Sequence, residues 1–149
     1  MDWRVGTIVG MVQRKQRALL IDVQSLDASA APPSAPLHTE MRDAVRRSTN
    51  AVESETAALN AIFYSREARL CMVRTSLKGS ADVRAAIKSV RYVQQWPVKL
   101  VVTRTFGNER LARRDFARRL DAVLPSVEDK QAQKRIRELV NVVNDLQRA

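Results

Sequence analysis

An α+β fold is what this chain predicts, from three observations. Short β-branched and apolar runs open it. A strand, helix, strand, helix order then runs through residues 66–124. An apolar-striped helix closes it. The expected architecture is an N-terminal β-hairpin, a long linker helix, and a βαβα unit with an extra C-terminal helix. That divides the chain into residues 1–37, 38–65 and 66–149.

Residues 3–11 and 18–25 are β-branched and apolar, with Gln13-Arg14-Lys15-Gln16-Arg17 between them. They read as a basic-tipped hairpin. Residues 28–37 place Pro32, Pro33 and Pro36 among Ala and Ser, which reads as a linker. From Thr39 to Tyr64 there is no Gly or Pro, and Met41, Val45, Val52, Leu59 and Ile62 recur near helical spacing. One long helix is expected there, opened by Thr39 as N-cap.

Residues 68–76 alternate as a strand, and Lys78-Gly79-Ser80 turns the chain. Residues 81–93 predict an amphipathic helix with Val83, Ala86, Ile87 and Val90 on one face and Arg84, Lys88 and Arg91 on another. Pro97 ends that region and opens a strand from Val98 to Thr105. A right-handed crossover is expected to set the two strands parallel in one sheet. Gly107-Asn108 turns into a helix over 109–124 with Phe116, Leu120 and Val123 inward and Arg110, Arg114 and Arg118 outward. Pro125 breaks it. A last helix over 126–147 carries Ile136, Leu139, Val140, Val143 and Leu146 as its stripe.

The balance of 26 Lys+Arg against 16 Asp+Glu, a net charge of +10, points to phosphate-bearing partners. Nucleic acid ranks first and an anionic membrane surface second; for the last helix a membrane surface ranks last, because its apolar stripe lacks Trp and Phe. A lone cysteine, Cys71, excludes an internal disulfide and a cysteine zinc site. It lies in an apolar run and is expected in the core. The one histidine, His38, is expected in a loop. No carboxylates pair at a spacing suited to acid–base work, so no catalysis, metal or cofactor is expected. No apolar run approaches the length that crosses a bilayer. The N-terminus lacks the order of a secretory signal, and an organellar protein would be seen here after processing or with its leader outside this numbering.

Residues 66–124 resemble the C-terminal domain of translation initiation factor three, whose order is βαβα followed by two strands. Arg66-Glu67-Ala68-Arg69-Leu70 resembles its opening strand, and Ala81-Asp82-Val83-Arg84 through Val93 its basic first helix. Thr105-Phe106-Gly107-Asn108-Glu109 occupies the place of its F-R-G-R-E loop, with Gly107 and Glu109 matching and Asn108 in place of arginine. Arg104 stands for the arginine ahead of that loop. Residues 117–124 resemble the second helix. The family's two final strands are replaced by a helix.

The resemblance implies a non-enzymatic binder of the small ribosomal subunit, touching ribosomal RNA and ribosomal proteins. Such a protein hinders premature subunit joining and aids start selection. The divergence implies an organellar home, the mitochondrial matrix before the cytoplasm. The RNA-binding set would be Arg84, Lys88, Arg91, Arg104, Gly107, Asn108, Arg110, Arg114 and Arg118. Backbone N–H groups opening at residue 109 would hold a phosphate. Arginine suits this because its fork grips phosphate bidentately. Arg113, Arg119, Arg135 and Arg137 read equally well as a solvated face with acidic partners. Two other readings stay open: a permanent structural or assembly protein of a ribosome, and a helical subunit of another complex. The last helix would either cover the sheet or meet a protein partner through residues 127–147.

Overall fold

Ala18-Leu19-Leu20-Ile21 is apolar without alternation, the pattern of a strand covered on both faces. The computed structural model describes residues 16–26, 31–48, 59–76 and 80–148, and it puts this run at the centre of the molecule. β1 (Gln16–Ser25) pairs antiparallel with β3 (Leu70–Ser76) on one side and β5 (Trp96–Phe106) on the other. β2 (Asn60–Ser65) lies outside β3, and the two-residue β4 (Tyr92–Val93) outside the start of β5. The sheet order is β2-β3-β1-β5-β4, with every pair antiparallel.

Helices cover both faces. α1 (Ser34–Ser48) and α2 (Ser80–Ser89) bury Leu37, Met41, Val83 and Ile87 against Leu19, Ile21, Val23, Val73 and Leu100. α3 (Glu109–Val123) and α4 (Lys130–Arg148) bury Phe116, Leu120, Ile136 and Val143 against Ala18, Leu20, Leu70, Met72 and Phe106. A 3-10 turn, Leu124–Ser126, with Pro125 near its start, joins α3 towards α4. Setting β4 aside, the order β1-α1-β2-β3-α2-β5 is the ferredoxin-like arrangement. The α3–α4 layer is added to its second face. Each large apolar side chain so enclosed contributes about 1.5–3 kcal/mol.

The α+β class is as expected, but several placements differ. Residues 18–25 do form a strand. Both its edges are taken by β3 and β5, so it is no hairpin arm at the rim; four successive apolar residues need cover on both faces. The other arm, 3–11, lies outside the described residues. Ser34–Leu37 is not linker but the first turn of α1. Pro36 is tolerated there because first-turn N–H groups lack an intrahelical acceptor. Thr39 is therefore interior rather than an N-cap, and His38 is helical rather than in a loop.

The expected helix over 38–65 stops, among described residues, at Ser48, and 60–65 is β2. Ile62-Phe63-Tyr64 are strand formers, and Phe63 stacks on Phe116 at 5.7 Å. α2 ends at Ser89, and Tyr92–Val93 turns back through Gln94, which takes a left-handed φ of 54°. β3 and β5 run in the same direction but are not neighbours, since β1 lies between them. The last helix begins at Lys130 rather than residue 126. It packs against α3 and joins the second apolar core. Ile136, Val140 and Val143 are buried there and cannot be offered to a partner helix.

Candidate nucleic-acid interface

The turn from β5 into α3 carries four of the expected contacts, and local geometry ties most of them down. Arg104 lies over the Phe106 ring at 4.7 Å from its centroid and 3.9 Å from Asp115. Phe106 is buried, so the aromatic nearest the basic loop is not free to stack on a base. Gly107 keeps a φ outside the left-handed region. A Cβ added there would sit 3.5 Å from Arg17 Nη1, an ordinary contact. Asn108 is the N-cap of α3: its backbone is extended and its Oδ1 accepts the Arg110 N–H at 2.8 Å.

Glu109 is the first residue of that helix. Its carboxylate accepts from Arg74 Nε at 2.6 Å and from Arg113. A carboxylate in the first turn complements the helix dipole.

Further along α3 the arginines divide by flank. Arg113 is held by Glu109. Arg119 donates to Asp115 Oδ2 at 3.0 Å and to Thr103 Oγ1 at 3.0 Å. On α4, Arg135 pairs with Glu67 at 2.7 Å. For these three, the reading as cations with acidic partners holds. Arg110, Arg114 and Arg118 point to solvent. Arg114 and Arg118 have no ion pair within 4 Å among the described residues. Four residues of helix rise about 6 Å and turn only slightly past one full turn, so the three form a slanting cationic stripe along one flank.

Arg84, Lys88 and Arg91 lie on the opposite layer, on α2 and just past it, and all three are exposed. The structure does not bring them to the α3 stripe. They meet Lys99 of β5 instead. Arg84, Lys88, Lys99, Leu100, Val101 and Val102 line a groove of about 350 Å³ between α2 and the sheet edge. Lys99 was missed by sequence reasoning. Its signal was the alternation with buried Val98 and Leu100, which turns Lys99 outward. A larger cavity of about 730 Å³, also missed, lies where the β2–β3 turn faces the starts of α1 and α4. Arg66, Glu67, Arg69 and Arg135 are among its lining residues. Those residues come from segments distant in sequence, and no local pattern joins them.

Cys71 is fully buried, and burial pushes its thiol up to about 12. Among the described residues no cluster of three or more metal-ligating side chains occurs, and no helix is long and apolar enough to cross a membrane.

No protein-family model and no curated protein sequence matches the chain. Among solved structures, it is similar to a chain in the cryo-EM structure of yeast ribonuclease MRP, with a TM-score of 0.53 at 11% identity. The match covers 76% of this chain and 97% of that one. At that identity, what the two chains share is the fold.

Proposed function

We propose that this chain is a non-enzymatic, RNA-binding subunit of a stable RNA–protein complex. It holds folded RNA by its phosphates through the outer face of α3. The observation that carries this is the division of arginines on one helix. Arg113 and Arg119 are locked to carboxylates, while Arg114 and Arg118 stand exposed and unpaired among the described residues. Cations on a rigid helix that owe nothing to the fold are suited to phosphate. The sheet face that an open four-stranded RNA reader would use for base stacking is closed here by α3 and α4, which favours phosphate and shape over sequence reading. The likeness to a chain of ribonuclease MRP, an RNA–protein complex, supports the same class of partner. Burial of Cys71 and the engagement of His38 with the Ala61 N–H support a role without chemistry.

A second reading rests on the Thr105–Glu109 loop, which does lie between a strand and a basic helix as the resemblance to initiation factor three implies. In it, the RNA is that of the small ribosomal subunit, in an initiation factor or a ribosomal or assembly component, in mitochondria first. Purification of the tagged chain from its own cells, with sequencing of the RNA retained at moderate salt, separates the two. The first reading expects a structured non-ribosomal RNA. Small-subunit ribosomal RNA would install the second. Retention of no RNA would contradict both.

A further inference from the structure

The two edges of the sheet are finished differently. On the β2 side, α1 reaches over the rim. His38 Nε2 accepts the Ala61 N–H at 3.4 Å, and Arg42 donates to the Leu59 carbonyl at 3.3 Å and to Asn60 Oδ1 at 3.4 Å. On the β5 side, β4 pairs only with Trp96 and Pro97, and the Val98 N–H donates to the Arg91 carbonyl at 2.9 Å. From Lys99 onward, β5 pairs with β1 alone among the described residues. A row of outward N–H and C=O groups with no strand beside it is a template for another chain.

The surroundings of that edge state what would suit it. The groove of about 350 Å³ beside it has Leu100, Val101 and Val102 as an apolar floor and Arg84, Lys88 and Lys99 as a cationic rim. Lys88 and Lys99 continue into an adjoining groove of about 430 Å³ that also holds Arg91, Tyr92 and Leu26. None of Arg84, Lys88, Arg91 or Lys99 makes an ion pair among the described residues. Leu26 and Tyr92 are among the most exposed large apolar side chains.

We propose that the β5 edge docks an extended acidic segment of a partner protein as an added strand. Its main chain pairs with β5, and its carboxylates lie against Arg84, Lys88 and Lys99. A peptide is favoured over RNA here on two grounds. Only a peptide offers alternating donors and acceptors at the roughly 3.3 Å spacing of a strand. The apolar floor suits side chains rather than phosphates. Charge complementarity then sets register and on-rate.

The test uses the full chain and a fluorescein-labelled peptide alternating glutamate and valine. A second peptide is N-methylated at alternate residues, keeping the charge and removing those main-chain donors. The unmodified peptide is expected to bind and to slow amide exchange across residues 99–105. N-methylation is expected to weaken it by at least about tenfold. R84E combined with K88E, folded by circular dichroism, is expected to abolish binding. Equal affinity of the two peptides, protection elsewhere in the chain, or no binding of the unmodified peptide overturns the proposal. Displacement of the peptide by an oligouridylate also overturns it, and would make the edge an RNA groove. Should the charge-reversed variant not fold, the N-methyl comparison on the unaltered chain still decides.

Discussion

Glu109 shows how one residue decides which arginines are available to a partner. By holding Arg74 and Arg113 together, it turns two cations into struts between β3 and α3. The sequence places five arginines on α3, and spacing alone separates an outward stripe from the rest. It could not reveal that Arg74, from a distant strand, would share Glu109, because that pairing depends on the sheet. His38 makes the same point with a measurable consequence. Its Nε2 accepts the Ala61 N–H and must be unprotonated to do so. Burial first, and the Arg42 charge second, lower its pKa from the ordinary 6.5. The unfolded chain therefore takes up a proton that the folded chain resists. His38 contributes fully above about pH 6.5 and loses its contribution as pH falls through the lowered folded value. As this is the one histidine in the chain, an NMR titration of native and urea-unfolded protein reads it directly. The native midpoint is expected below the unfolded one; equal midpoints would refute the contact.

At the scale of elements, the α3–α4 layer is a second core rather than an appendage. Phe116, Leu120, Ile136 and Val143 are each within 1% of complete burial, and Phe116 stacks on Phe63 of β2. Phe116→Ala is expected to cost about 3–5 kcal/mol in urea unfolding, whereas Val142→Ala, half exposed on α4, should stay within about 0.5 kcal/mol. A destabilisation at Phe116 no larger than at Val142 would mean the layer is only loosely held. Most helices were legible because their periodicity is local. Val83, Ala86 and Ile87 announce α2, and the α4 stripe announces its buried face. Strand partners were not legible, since pairing joins residues far apart in the chain. The unbroken run Ala18-Leu19-Leu20-Ile21 did carry the clue that β1 needs neighbours and cover on both sides. The β2 strand was missed because Leu59 and Ile62 also fit a helical spacing; cross-strand packing onto Met72 and Cys71 outweighed it.

For the whole molecule, a three-layer sandwich with a net charge of +10 carries two exposed cationic stripes, among the described residues, on separate layers. With RNA proposed for the α3 face and a protein segment for the α2–β5 edge, the two surfaces lie far enough apart in the fold to belong to one assembly. The resemblance over 66–124 treated both stripes as one RNA surface. The sheet divides them, because α2 and α3 leave it on opposite faces. The most direct measurement is the affinity for the co-purified RNA across a salt series. It compares the unaltered chain, the variant with Arg110, Arg114 and Arg118 all changed to Ala, and the variant with Arg84, Lys88 and Arg91 all changed to Ala. The α3 variant is expected to bind more weakly, with a salt slope shallower by roughly one for each phosphate it no longer neutralises. The α2 variant should keep the affinity and slope of the unaltered chain. An α3 variant that binds with unchanged affinity and slope would contradict the account.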